Sequence, residues 1–161
     1  MALARLDYKL IITGRSKDDI TRVANQCAHL SPSESMPLEI VADLAQDPDV
    51  RRLFEESRRH FHGRLDLLVN NAAFQMPVGH TQVEEFWRSF KTAMQVNLMA
   101  AAQLTLLAAP LFKNTTEKLR QQQPVDQKDS NPCTTCITNI GSIAAFRKSQ
   151  TLAAYETSKQ L

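Results

Sequence analysis

Ser142, Tyr155 and Lys159 follow one another near the end of the chain in the pattern Ser…Tyr-Glu-Thr-Ser-Lys, and residue types at that spacing can do proton chemistry. If Tyr155 opens a helix, Lys159 lies one turn further on and on the same face. A phenol with a pKa of about 10 is a poor proton donor or acceptor at neutral pH, but an ammonium held beside it favours the phenolate. The tyrosine then becomes a usable acid or base. Ser142 stands just beyond the strand-like run Thr135-Cys-Ile-Thr-Asn-Ile140, where a hydroxyl can hold a substrate carbonyl against that phenol. Together the three describe interconversion of a carbonyl and an alcohol. An isolated Tyr-x-x-x-Lys is also just the start of an amphipathic helix with a solvated lysine, so the rest of the chain has to decide.

The elements that must position these groups can be read from pattern. Lys9-Leu-Ile-Ile-Thr13 predicts a strand stopped by Gly14, and Ser16 with Asp19 three residues on predicts the N-cap of a helix running to about Leu30. Leu38–Ala42 predicts a second strand. Asp47-Pro-Asp heads a helix over Val50–His62, ended by Gly63. Leu65–Asn70 is apolar on both faces, as a covered parallel strand should be. Val83–Phe112 predicts a long helix or helix pair, with the small-residue stretch after Leu98 suited to close packing. Residues 113–132 turn polar and read as an exposed insertion, after which Thr135–Ile140 forms the last strand before the Ser142 segment. Alternating strands and helices predict an α/β fold with a parallel sheet and no internal repeat.

Three further stretches give the Tyr-x-x-x-Lys pattern a context. Leu65-Asp-Leu-Leu-Val-Asn-Asn-Ala-Ala73 resembles the Asn-Asn-Ala-Gly signature that closes the fourth strand of short-chain dehydrogenases/reductases. Gln95-Val-Asn-Leu98 resembles that family's helical asparagine segment, and Val41-Ala-Asp-Leu44 its adenine-contacting strand end. The matches run in family order over essentially the whole chain. The resemblance implies a Rossmann-like doubly wound parallel sheet and an NAD(P)-dependent oxidoreductase that moves a hydride between nicotinamide and a carbonyl or secondary alcohol. It implies Tyr155 as acid/base, Lys159 as the group that tunes it and holds the nicotinamide ribose, and Ser142 as the group orienting the carbonyl. Asn97 would interrupt its helix and hold a water leading to Lys159, although it could equally be a polar residue tolerated in a helix. Asp43 would contact the adenine amine and Leu44 its ring, while Asn70, Asn71, Ala72 and Ala73 would line the adenosine ribose. Asp43 alone could also be a helix cap, and Ala73 replaces the usual glycine with a residue that carries a methyl.

Arg15, directly after the second family strand, stands where the family reads the cofactor ribose. An acidic residue there would take the 2′-hydroxyl of NAD, whereas arginine suits the 2′-phosphate of NADP. NADP is the expected cofactor ahead of NAD.

The chain has only four glycines, and no glycine-rich turn of the kind that holds a pyrophosphate can be placed after a strand. The sheet is therefore expected to be incomplete, lacking its first strand with that loop, which is central in the doubly wound order, and its last strands. One partial domain over 1–161 is expected, and the alternative to an active enzyme is an inactive fragment that acts only by association with a full-length relative.

Bulk properties narrow the partners. With 161 residues, 43% hydrophobic, 22% charged and a formal charge of +2, the chain is globular in composition and has no electrostatic case for nucleic acid or an anionic membrane. Arg51, Arg52, Arg58 and Arg59 interleave with Glu55 and Glu56 and read as a solvated helix face. No apolar run is expected to approach the ~20 residues of a membrane span, and no secretory signal is evident, so a cytoplasmic protein is expected. Three cysteines, an odd number, fit a reducing compartment. Cys133-Thr-Thr-Cys136 has no second pair, and His29, His60, His62 and His80 show no ligand spacing, so no metal is expected. The resemblance adds a small carbonyl or alcohol substrate, with a homo-oligomer for the complete family member.

Overall fold

The computed structural model describes residues 1–75, 83–122, 135–142, 145 and 153–160. They fall into two compact units, Met1–Leu53 and Phe54–Leu161.

The first unit begins with a short helix, α1 (Ala2–Arg5), followed by strand β1 (Ile11–Gly14), helix α2 (Lys17–Leu30), strand β2 (Leu38–Val41) and the opening of helix α3 (Asp47–His60). Ser16 caps α2 as its spacing predicts: the Asp19 backbone N–H donates to Ser16 Oγ at 3.3 Å, and Asp18 and Asp19 place negative charge at the positive helix end. Ile20, Ala24 and Cys27 recur at helical spacing and are the buried face of α2. The strands pair in parallel with Ile11 opposite Leu38 and Gly14 opposite Val41, and Ile40 and Val50 are almost wholly buried. Asp7 adopts a left-handed φ of 61° and its carboxylate accepts from Ser31 Oγ at 2.6 Å and Ser33 Oγ at 2.7 Å, fastening the turn after α1 to the end of α2. Those bonds hold the Asp7 carboxyl below its ordinary range.

In the second unit α3 ends at Gly63, whose φ of 74° only glycine adopts at no steric cost and whose N–H donates to the Arg58 carbonyl. Strand β3 (Leu67–Asn70), helix α4 (Val83–Met94), a π-helical turn (Gln95–Met99), helix α5 (Ala100–Gln122), strand β4 (Cys136–Asn139) and helix α6 (Ala153–Gln160) follow. β3 and β4 are parallel, with Leu67 opposite Cys136 and Asn70 opposite Asn139. Helix α5 packs on both strands, and α6 packs on α4. The buried stripe of α5 is Ala100, Leu104, Ala108, Leu111 and Thr115.

Two expectations change here. The polar segment from Lys113 is helical as far as Gln122, and Thr115 within it is buried, its hydroxyl accepting from the Leu65 N–H at 3.0 Å. Because α4, the π turn and α5 run on without a break, Val83–Gln121 is by length and composition long and apolar enough to cross a membrane, with mean hydropathy 1.3 in its most apolar window. This differs from the expectation of no such run: Asn97 and Lys113 lie inside the helix, which packs on β3, β4 and, through α4, on α6. Residues 123–132, Cys133 and His80 lie outside the described residues.

Candidate active site

Helix α6 carries both Tyr155 and Lys159, one turn apart. Lys159 Nζ donates to the Ile140 carbonyl at 3.0 Å and lies 5.9 Å from the centre of the Tyr155 ring, so one ammonium is fixed between the end of β4 and the phenol. Ser142 follows that strand end and is half-buried, and its carbonyl accepts from the Ala145 N–H.

Asn97 occupies the middle of the π turn, where the extra residue in the helical turn breaks the α ladder. Its Oδ1 accepts from the Phe74 N–H at 2.7 Å, and its Nδ2 donates to the Phe74 carbonyl at 3.0 Å and to Ser158 Oγ at 2.7 Å. One side chain therefore satisfies both backbone groups of Phe74, at the exit of β3. Asn71, Ala72 and Ala73 form the exposed stretch between that strand and this clamp. Asn70 is used differently: its Nδ2 donates to Asn139 Oδ1 at 2.8 Å and to Thr105 Oγ1 at 3.3 Å, which ties β3 to β4 and to α5.

In the first unit Arg15 directly follows β1, is exposed and has no hydrogen-bond or ion-pair partner among the described residues. Its neighbour Lys17 is engaged, with Nζ 2.6 Å from Glu39 Oε2. Asp43, at the exit of β2, accepts from the Ala45 N–H at 3.1 Å through its carboxylate and donates its own N–H to Asp49 Oδ2 at 2.8 Å. That backbone bond, with Arg52 beside it, holds the Asp49 carboxyl below its ordinary value. Leu44 is half-buried in the same turn.

Each unit taken by itself offers groups of a kind that a nicotinamide dinucleotide uses. An unengaged guanidinium suits a ribose phosphate, an exposed backbone stretch at the carboxyl end of a parallel strand suits an adenosine, and a phenol with an ammonium suits the reacting end. A Cβ at Gly14 would meet Ile20 Cγ1 at an ordinary 3.5 Å and one at Gly141 would meet no protein atom within 4 Å, so packing within the protein does not require glycine at either position.

Comparison with known proteins identifies the family. The family model described as short chain dehydrogenase matches residues 1–160. The chain belongs to the short-chain dehydrogenase family. Among its relatives, human dehydrogenase/reductase SDR family member 1 is 36% identical over 90 residues, covering 55% of this chain and 28% of that protein. The L-fucose dehydrogenase of Bos taurus is 29% identical over 114 residues, covering 70% of this chain and 42% of that protein. The chain thus spans less than half the length of either relative. Among solved structures, a short-chain dehydrogenase from Sphingobium yanoikuyae in complex with NADPH superposes with a TM-score of 0.72 at 21% identity, over 99% of this chain and 53% of that one. The fold is accordingly the α/β Rossmann type, and the family is one of oxidoreductases.

Ser158 and Asn139 are site neighbours that sequence reasoning passed over. Ser158 sits three residues after Tyr155, the spacing at which a helical hydroxyl bonds back to a carbonyl, and its Oγ donates to the Tyr155 carbonyl at 2.7 Å. Asn139 gave a weaker signal, an amide at the end of an apolar strand.

Proposed function

We propose that this short-chain dehydrogenase is an NAD(P)-dependent oxidoreductase acting on a carbonyl or secondary alcohol, with Tyr155 as its acid/base. The observation that carries this is Lys159, anchored on the Ile140 carbonyl at 3.0 Å and standing 5.9 Å from the Tyr155 ring centre. The bound nicotinamide would supply the hydride in reduction and accept it in oxidation. In reduction the Tyr155 hydroxyl gives its proton to the carbonyl oxygen as the carbon is reduced; in oxidation the phenolate takes the alcohol proton back. Lys159 keeps positive charge beside the phenol in both directions and holds the nicotinamide ribose. Ser142 orients the carbonyl oxygen towards Tyr155, and Asn97 holds the β3 exit against the helix that bears the acid/base. Asn71, Ala72 and Ala73, with Asn70 behind them, line the adenosine ribose, while Asp43 and Leu44 meet the adenine. NADP is favoured over NAD because Arg15 offers an exposed, unengaged guanidinium where a 2′-phosphate would lie.

A second reading, in which the chain turns over no substrate by itself and acts only with a full-length relative, is supported by the sequence, whose four glycines form no glycine-rich turn after a strand. Calorimetric titration of the purified chain with NADP and NAD, followed by a panel of aldehydes and ketones, separates the two. Micromolar binding with turnover that falls at least about a hundredfold in Tyr155→Phe, the dinucleotide affinity being retained, supports the enzyme. A Phe variant that keeps most of its kcat sinks the acid/base assignment, and absence of binding and turnover favours the second reading.

A further inference from the structure

We infer that Ser158 is a positioning residue, the buried link by which the helix bearing Tyr155 and Lys159 is set against the strand exit that would hold the adenosine ribose. This rests on the reading of Tyr155 and Lys159 as reaction residues. Ser158 is 3% exposed, and its hydroxyl has one proton to give. That proton goes to the Tyr155 carbonyl at 2.7 Å, so the oxygen is left to accept from Asn97 Nδ2, also at 2.7 Å. The second Nδ2 proton goes to the Phe74 carbonyl at 3.0 Å, and Oδ1 takes the Phe74 N–H at 2.7 Å. Every donor of the Asn97 amide is therefore used, and the chain of bonds runs in one direction: from Asn97, through Ser158, to the backbone of the proton-transferring residue. Three segments far apart in sequence, the β3 exit, the π turn and α6, meet at the Asn97 amide, and α6 joins through the Ser158 hydroxyl. The roll of α6 about its own axis, which decides where the Tyr155 ring and the Lys159 ammonium point, is fixed on this side by that hydroxyl. Removing the buried Ser158 hydroxyl takes away the protein partner of one proton on the half-buried Asn97 amide and loosens the hold of that amide on α6.

A merely structural role makes the opposite forecast, because alanine is the better helix former and Ser158→Ala should then leave α6 as firm or firmer. Amide hydrogen exchange of the full chain distinguishes them. The Phe74 amide, held only through Asn97, is compared with the Leu65 amide, held by Thr115 in the same unit and away from Ser158. Ser158→Ala is expected to speed Phe74 exchange by about tenfold relative to Leu65, the loss of one part-buried hydrogen bond, while Ser158→Thr, which keeps the hydroxyl, restores the ratio. Ser158→Cys, close in size and a weaker hydrogen-bond former, covers an alanine chain that fails to fold and is expected to show a smaller rise of the same kind. Phe74 and Leu65 speeding up together, or neither changing, in whichever of the two variants folds, overturns the proposal. In turnover Ser158→Ala is expected to lower kcat with little change in KM for the dinucleotide. A wild-type chain without turnover counts against the oxidoreductase reading alone; the exchange ratio still decides Ser158.

Discussion

At the residue scale the geometry was readable where it depends on spacing along one element. Tyr155 and Lys159 are a helical turn apart whatever the rest of the fold does, and the structure puts the ammonium 5.9 Å from the ring centre. Ser158 was not readable, because what makes it more than a small polar helix residue is Asn97, 61 positions earlier in the chain. Arg15 sits between these cases: its place after β1 is local, but its freedom from partners could be known only once Lys17 had taken Glu39. Replacing Arg15 by Asp should weaken NADP much more than NAD, since a phosphate partner becomes a repelling charge. The ratio of the two dissociation constants measures this, and an unchanged ratio would mean that Arg15 does not meet the ribose. Asp49 supplies a pH prediction at the neighbouring strand exit. The Asp43 N–H, then Arg52, depress its carboxyl below the ordinary 3.8. A carboxyl depressed in the folded state stabilises it above the unfolded pKa and loses that contribution as pH falls through the folded one. The turn at Asp43 should therefore hold at neutral pH and loosen in acid below about pH 4. Exchange of the Asp43 amide reads it directly, and Asp49→Asn should abolish the acid limb of that curve.

At the element scale the strands and the cap of α2 were legible because their signals are strong and local: β-branched runs, Gly14 and Gly63 as stops, Ser16 bonded to Asp19. Helix α5 was legible only to Phe112. Beyond it the composition turns polar, yet the buried spacing continues through Leu111 and Thr115, and a threonine facing inwards reads as polar surface until its partner is known. Thr115→Val tests that contact. It keeps the shape and strands the Leu65 N–H, so it should cost about 1–2 kcal/mol in urea unfolding; no change would mean that water replaces the hydroxyl. The π turn was foreseen only as an interruption at Asn97. It also explains why one continuous helix serves two partners. The additional residue in that turn sets α5 back by about a quarter turn relative to an unbroken α-helix, so α4 faces α6 while α5 faces β3 and β4.

At the scale of the whole molecule the described strands form two separate two-stranded parallel sheets, β1 with β2 and β3 with β4. Each pair leaves strand edges unbonded among the described residues, and Val41, Val69 and Ile137 on those strands are 36–41% exposed. Apolar open edges invite pairing with other copies, so the isolated chain should self-associate at high concentration. Sedimentation over a concentration series checks this, and a monodisperse monomer throughout would contradict it. The pairing of β3 has a further consequence in time. β1 meets β2 as soon as Val41 has been made, but Asn70 must wait for Asn139, 69 residues later. At ribosomal speed that is an interval on the order of several seconds, during which a nascent β3 waits for its partner strand while α5, which packs on it in the finished fold, is already synthesised.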